Sequence, residues 1–299
     1  MSSHRVAIAL LRALPTHALS HAAGWLAARR LPAPLRAPAM RAFGSAVGVD
    51  FDEVGDPLSS FESVQAFFTR RLRDGVRPID AAPLAVVSPC DGAWGAAGRV
   101  EGGQLFQVKG RQYELAALLG DAQAARRFEG GPFATLYLSP RDYHRFHAPC
   151  AGRVRRATHR PGALWPVNRI GVEGIAGLFA VNERLCAFLS VAGASEDLCL
   201  VAVGATMVGK VRLAFDDLTT NRRGAAPEMR AYGEGVALAK GEEWGRFEFG
   251  STIVLVAAPG LLALDVQPPG TPVRLGQRIG TLVGAGCDVG GPGGVGAGP

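Results

Sequence analysis

The spacing of turn residues is the feature of this 299-residue sequence that most constrains its fold. From about Ser60 onward, glycine and proline separate short apolar runs, and the whole chain contains 40 glycines and 20 prolines. Short apolar runs bounded by turn residues are typical of strands. The pattern therefore predicts an α+β protein whose body is mostly antiparallel β-sheet with few helices.

Individual segments agree with this prediction. The strand-like runs are PLAVVSP (83–89), QLFQV (104–108), FATLYLSP (133–140), GLFAVNERLCAFLSVAG (177–193), LCLVAVGATMVGKVRLAF (198–215) and STIVLVAAPGLLALDV (251–266). Within the last run, every residue from Thr252 to Val256 is β-branched or leucine, which favours a buried strand. The run SFESVQAFFTRRL (60–72) has helical periodicity instead. Two similar tetrapeptides, at 89–92 and 149–152, would be explained by related hairpins in a duplicated sheet.

Positive charge is concentrated at the N-terminus. Residues 1–49 contain six arginines and no aspartate or glutamate, whereas the rest of the chain has 26 basic and 26 acidic residues. A neutral body argues against nucleic-acid binding, and a basic arm favours contact with an anionic membrane surface.

The basic region also has helical periodicity. Apolar residues recur one turn apart between Val6 and Leu14, a second helix is predicted over 19–31, and a third short helix is predicted to end near Val47. These helices could pack on the body or lie in a membrane interface, and their basic polar residues favour the interface. No run is long and apolar enough to span a membrane. We therefore divide the chain into a membrane-association region at 1–60, a catalytic body at 61–290 and a flexible tail at 291–299.

The cysteines and histidines do not indicate a metal site. Five cysteines without Cys-x-x-Cys spacing favour a reducing compartment over a disulfide framework. His144 and His147 form a His-x-x-His pair, but the glutamate of a His-Glu-x-x-His helix is missing and prolines flank the segment. No metal is therefore expected.

Three separated segments contain the parts of an acyl-transfer site. Ser251 begins a predicted buried strand, Asp91 lies in the turn SPCDG, and either His144 or His147 could accept a proton. The sequence around Ser251 lacks the Gly-x-Ser-x-Gly elbow of hydrolases. The hydroxyl has another target, the carbonyl of Gly250, which is open to attack because glycine has no Cβ.

Attack on that carbonyl would convert the peptide bond between Gly250 and Ser251 into an ester, with a histidine oriented by Asp91 accepting the proton. Elimination from the ester would leave dehydroalanine, and hydrolysis with loss of ammonia would leave a pyruvoyl group. The chain is thus predicted to make its own ketone cofactor.

Six motifs occur in order along the chain. They are RRLRDGVRPID (70–80), SPCDG (88–92), TLYLSPRDYHRFHAP (135–149), LFAVNER (178–184), VGATMVGKV (203–211) and KGEEWGRFEFGST (240–252). Together they make the sequence resemble the phosphatidylserine decarboxylase family over nearly its whole length. The family's cleavage motif is usually Leu-Gly-Ser-Thr; Phe249 replaces the leucine here, which changes packing beside the scissile bond but not the reacting atoms.

The resemblance implies a role for each candidate residue. It implies that Asp91, His147 and Ser251 form the self-cleavage triad, and that His144 serves decarboxylation. It also implies that Ser251 becomes the pyruvoyl group, which forms a Schiff base with the amine of phosphatidylserine. The product would be phosphatidylethanolamine.

The resemblance further implies that the processed enzyme consists of two chains and lies at a membrane. Cleavage would give a large chain, 1–250, and a small chain, 251–299, which would remain together as a heterodimer because so short a fragment rarely folds alone. The enzyme would lie peripherally on the cytoplasmic face of the inner cell membrane, and a homodimer of the processed protein is compatible with the sequence.

Three alternatives remain open at this point. A serine hydrolase could use the same triad without self-processing, and a family relative could decarboxylate a soluble amino acid, although the basic arm disfavours this. A carrier module is disfavoured because the C-terminal turn GQRIGTL lacks the lysine that such carriers modify.

Overall fold

The computed structural model describes most of the chain, namely residues 22, 24–107, 111–191, 195–206, 210–222, 224–248 and 252–283. The predicted helical face from Val6 to Leu14, the cleavage residues Gly250 and Ser251, and the tail at 291–299 lie outside the described residues. Within these residues every pair of neighbouring strands is antiparallel and most helices are short, so the predicted α+β fold with a mostly antiparallel body is confirmed.

The described residues form sixteen strands. In chain order they are β1 (Ala85–Val87), β2 (Gly92–Arg99), β3 (Gln104–Gln107), β4 (Arg111–Glu114), β5 (Pro132–Tyr137), β6 (Arg145–His147), β7 (Gly152–Arg160), β8 (Arg184–Ser190), β9 (Leu198–Val203), β10 (Val211–Leu213), β11 (Glu228–Leu238), β12 (Glu243–Phe247), β13 (Thr252–Ala257), β14 (Leu262–Leu264), β15 (Pro272–Val273) and β16 (Arg278–Leu282).

One eight-stranded sheet forms the centre of the body, with the spatial order β11-β7-β8-β9-β13-β5-β2-β15. The predicted buried strand is β13, which pairs with β9 on one side and with β5 on the other. All six residues of β13 are buried because an apolar cluster covers each face of the sheet. Smaller sheets have the orders β1-β16-β14, β10-β12-β6 and β3-β4.

The described residues also form six α-helices. They are α1 (Ala33–Val47), α2 (Val64–Phe68), α3 (Leu115–Leu119), α4 (Ala122–Arg127), α5 (Arg169–Gly174) and α6 (Leu178–Val181), with 3₁₀ turns at Phe51–Glu53 and Leu58–Ser60. Two of the predicted helices are thereby observed, as α1 and α2, and residues 24–27 of the predicted second N-terminal helix are helical. Helix α1 begins within the proline-spaced stretch because proline is tolerated in a first turn. None of the helices in the described part of the chain is long and apolar enough to cross a membrane.

One strand prediction is wrong over part of its length. In the run 177–193 the strand begins only at Arg184, and the apolar residues Leu178–Val181 form helix α6. Gly177, at φ +62°, starts the helix in a left-handed conformation that glycine adopts at little cost. A short apolar run does not by itself distinguish a strand from a buried helical turn.

The two similar tetrapeptides lie side by side in the fold. The N–H of Val87 donates to the carbonyl of Pro149 over 2.8 Å, and the N–H of His147 donates to the carbonyl of Pro89 over 2.7 Å. Each tetrapeptide ends at the first residue of a long strand, β2 or β7. The turn that contains Asp91 is therefore bonded reciprocally to the turn that follows His147.

Candidate active site

The histidine segment pairs with the strand that precedes the predicted cleavage site in sequence. Strand β6, which ends at His147, pairs with β12, and the N–H of Phe247 donates to the carbonyl of His144 over 2.9 Å. Strand β12 leads to Glu248, and β13 begins at Thr252. In sequence, the predicted scissile bond lies between these two residues.

His144 is fully buried and has one unpaired nitrogen. Its Nδ1–H donates to the carbonyl of Asp142 over 2.8 Å, and its ring packs on Phe68 with 3.9 Å between centroids. Its Nε2 has no hydrogen-bond partner among the described residues. Burial, and then the nearby Arg70 cation, lower the pKa of His144 to about 3. The ring is therefore neutral, and because Nδ1 holds the proton, Nε2 is a lone-pair acceptor.

His147 is oriented by a backbone carbonyl. Its Nδ1–H donates to the carbonyl of Gly241 over 2.8 Å, and its Nε2 lies 3.4 Å from Tyr143 Oη. Gly241 has φ +79°, and a Cβ there would lie only 2.8 Å from Ile79 Cγ1, so the position requires glycine. Burial lowers the pKa of His147 and so favours a neutral ring that can accept a proton.

Asp91 is buried and bound to arginine. Its carboxylate accepts from Arg77 Nε at 2.8 Å, from Arg77 Nη2 at 2.6 Å and from the N–H of Leu275 at 2.8 Å. The same guanidinium also binds Glu53, with 2.9 Å between Nη1 and Oε1. Among the described residues, no hydrogen bond joins Asp91 to His147. Asp91 lies in a turn and His147 ends strand β6, and backbone hydrogen bonds join their two segments.

An apolar cavity of about 570 Å³ opens beside the first residue of β13. Its lining includes Thr252, Trp94, Phe179 and Tyr137. A second cavity, of about 280 Å³, shares Tyr137 and reaches Phe43 of helix α1. Two apolar cavities that share a lining residue thus lie between the N-terminal helix and the start of β13.

The motif LFAVNER contains residues for which the sequence predicts no role. Asn182 is fully buried and bonds three backbone groups. Its Oδ1 accepts from the N–H of Trp165 at 3.1 Å, and its Nδ2 donates to the carbonyls of Trp165 and Gly204, both at 2.8 Å. Asn182 thereby connects a loop that borders the larger cavity to the end of β9.

Arg184 and Glu183 have comparable structural roles. The buried guanidinium of Arg184 donates to the carbonyls of Ala117 and Leu118 in the last turn of α3, where carbonyls lack helical partners. Glu183 accepts from His159 Nε2 at 2.7 Å. The only sequence signal for these roles is that charged residues interrupt an apolar run.

Comparison with known proteins identifies the family. The family model described as phosphatidylserine decarboxylase matches residues 64–281, which include Asp91, His144, His147 and Ser251. The chain belongs to the phosphatidylserine decarboxylase family. The resemblance that the motifs indicate is thereby confirmed.

Several bacterial relatives are similar along almost their whole length. The phosphatidylserine decarboxylase proenzyme of Anaeromyxobacter sp. (strain K) is 47% identical, over 92% of this chain and 98% of that protein. The proenzymes of Myxococcus xanthus (strain DK1622) and Delftia acidovorans (strain DSM 14801 / SPH-1) are 42% and 43% identical, over 91% and 93% of this chain and 97% and 98% of theirs. Phosphatidylserine decarboxylases are carboxy-lyases, and these relatives are named as precursors of the active form.

Proposed function

We propose that this protein decarboxylates phosphatidylserine to phosphatidylethanolamine after cutting its own backbone between Gly250 and Ser251. The family match, which spans every candidate residue, is the observation that supports this proposal most strongly. The similar lengths of this chain and of relatives named as proenzymes favour synthesis as one precursor.

His147 is our candidate for the base in self-cleavage. Because the carbonyl of Gly241 holds its Nδ1–H, its Nε2 carries a lone pair, which faces the Tyr143 hydroxyl at 3.4 Å and would accept the proton of the Ser251 hydroxyl in its place. In this proposal Asp91 acts through its charge, and its carboxylate, fixed by Arg77, stabilises the imidazolium that forms.

We further propose that Ser251 becomes the pyruvoyl group. The neighbouring residues fit such a group, since Thr252 lines an apolar cavity and His144 Nε2 has no hydrogen-bond partner in the part of the chain that the structure describes. A ketone at this position supplies an electron sink for the charge that remains when carbon dioxide leaves a bound amine substrate.

His144 would first accept a proton from the substrate and later donate it back. Its Nε2, unprotonated in the buried neutral ring, would hold a proton of the substrate ammonium only transiently, because the low pKa makes the ring a weak base and its protonated form a strong acid. The same nitrogen then returns the proton to the carbon that has lost carbon dioxide, as general acid. The ring ends neutral, and its bond to Asp142 keeps Nε2 in one orientation throughout.

The apolar space beside β13 is our candidate for the lipid-binding region. Its two cavities share Tyr137 and extend to Phe43 on helix α1. Residues 1–60 would contact the membrane interface, although Met40 of α1 is buried against Phe67 of the body. Exposed side chains such as Trp25 and Leu26 would add apolar burial to the attraction of arginine for anionic lipid. We place the enzyme peripherally on the cytoplasmic face of the inner membrane.

The two chains would stay together after cleavage. The small chain, 251–299, contributes β13 to the middle of the large sheet, and β14, β15 and β16 pair with one another or with strands of the large chain. Separation would expose a strand that is buried on both faces.

Electrophoresis and mass spectrometry of the wild type beside Ser251→Ala test the proposal. We expect two chains from the wild type, with a blocked N-terminus on the small chain and release of carbon dioxide from carboxyl-labelled phosphatidylserine. Hydroxylamine should abolish this activity by trapping the ketone. The variant should stay one chain and be inactive.

Other outcomes point elsewhere. A single active chain, indifferent to hydroxylamine, would favour a non-processing serine hydrolase. A free serine at the start of the small chain would indicate cleavage without formation of the ketone, and activity on free serine alone would favour a soluble amino acid as substrate.

A further inference from the structure

Arg70 is a buried cation in the core of the described structure. Only 5% of its surface is exposed, and its Nη2 donates to the carbonyls of Arg141 at 2.9 Å and Asp142 at 3.3 Å. Its Nε and Nη1 have no hydrogen-bond partner among the described residues. An unpaired charged donor is costly to bury, so its presence requires an explanation.

The carboxylates near Arg70 are engaged elsewhere. Arg70 lines a polar cavity of about 240 Å³ together with Asp91, Glu53 and Asp142. The first two carboxylates both bind Arg77, and the third accepts hydrogen bonds within its own turn. The other charged residues of the lining are Asp50, Arg77, Arg141 and Arg274. Among the described residues Arg70 forms no ion pair, and its Cζ lies 5.5 Å from the centroid of the Phe67 ring, so an oxyanion of a ligand would be its first ion-pair partner.

The side chains of Arg70 and His144 share one hydrogen-bond acceptor. One oxygen, the carbonyl of Asp142, accepts from Arg70 Nη2 and from His144 Nδ1. The guanidinium offers donors to an oxyanion, and the imidazole Nε2 offers a lone pair to an ammonium. A small molecule with both groups would satisfy both side chains.

We propose that Arg70 binds an oxyanion of the serine headgroup while His144 accepts a hydrogen bond from its ammonium group. This inference rests on the proposed function and adds a substrate-binding residue to it. Two oxyanions of the headgroup have the required chemistry, the carboxylate that is lost and the phosphodiester that remains. Both would match the planar donor edge of arginine.

Direct binding tests the inference without the cofactor. The protein is the full chain with Ser251→Ala, and the probe is O-phospho-L-serine, titrated calorimetrically. We expect Arg70→Gln to weaken its binding about 10- to 100-fold, as is typical when a charge-assisted hydrogen bond is lost. The matched control is Arg71→Gln, which removes the same charge from the exposed neighbouring position and should leave binding unchanged.

Simpler probes distinguish the two oxyanions. If the phosphodiester is bound, Arg70→Gln should weaken phosphoethanolamine and not serine. If the carboxylate is bound, it should weaken serine and not phosphoethanolamine. Equal affinities of the Arg70→Gln and Arg71→Gln proteins for O-phospho-L-serine would overturn the inference.

Steady-state kinetics of the processed enzyme provide a second readout. Arg70→Gln should raise KM for phosphatidylserine in mixed micelles at least tenfold, and Arg70→Lys should restore part of the loss, because lysine retains the charge without the planar fork. An Arg70→Gln enzyme that is normally processed and has an unchanged KM would refute the role of Arg70 alone. A wild type that is never cleaved would refute the proposed function instead.

Discussion

The buried imidazole of His144 should make the protein sensitive to mild acid. The pKa of this ring is about 3 in the folded protein, mainly because of burial, against an ordinary value of 6.5. Between these values the unfolded chain binds a proton that the folded chain does not, so the free energy of unfolding falls as pH falls. Above about pH 6.5 neither state binds this proton, and the full stability is present.

The size of the effect follows from the two pKa values. Lowering the pH from 7 to 5 should cost about 2 kcal/mol of unfolding free energy through His144, and about 1 kcal/mol for each further unit towards pH 3. His144→Asn removes the titrating ring, but its amide can still donate to the carbonyl of Asp142. The parent should therefore lose about 2 kcal/mol more than the variant between pH 7 and pH 5.

Urea titrations at the two pH values, at constant ionic strength, measure this difference. Both proteins should contain Ser251→Ala so that one chain unfolds. The lowered pKa of His147 adds to the acid sensitivity of both, and its effect cancels in the comparison. If the two proteins lose the same free energy, within about 0.5 kcal/mol, His144 titrates as it does in water and the desolvation argument fails.

Two further substitutions test the residues that hold the site in place. Asn182→Ala removes the partner of the N–H and carbonyl of Trp165 and of the carbonyl of Gly204. The free energy of unfolding, measured by urea titration, should therefore fall by about 3–5 kcal/mol. A loss below about 1 kcal/mol would contradict this expectation. Gly241→Ala forces a side chain into a left-handed conformation and against Ile79, which should cost about 1–2 kcal/mol. The substitution should also slow self-cleavage in a timed electrophoretic assay, because the Gly241 carbonyl that orients His147 must move. An unchanged cleavage rate would argue against this orienting role.

The sequence predicts the strands well where composition alone determines burial. Every residue from Thr252 to Val256 is β-branched or leucine, and the observed strand is buried on both faces. The same reasoning fails at Leu178–Val181, because an apolar run of four residues has no measurable period. Its helical form depends on the conformation of Gly177 and on the packing around it.

The sequence predicts less about the candidate site than about the strands. The motifs indicate Asp91 and His147, but the partners that the structure gives them are Arg77 and the carbonyl of Gly241. Both partners are distant in sequence or belong to the backbone, and neither has a periodic or compositional signal. The unused donors of Arg70 are likewise a property of burial, which only the fold determines.

The position of β13 between β5 and β9 has a consequence for the life of the processed molecule. Before cleavage, β13 is part of a single chain, so refolding requires only loop closure within one molecule. After the cut, the same strand belongs to a separate peptide, so refolding requires an encounter of two molecules and becomes slower on dilution. The cleavage that would create the reactive ketone would therefore also make denaturation largely irreversible.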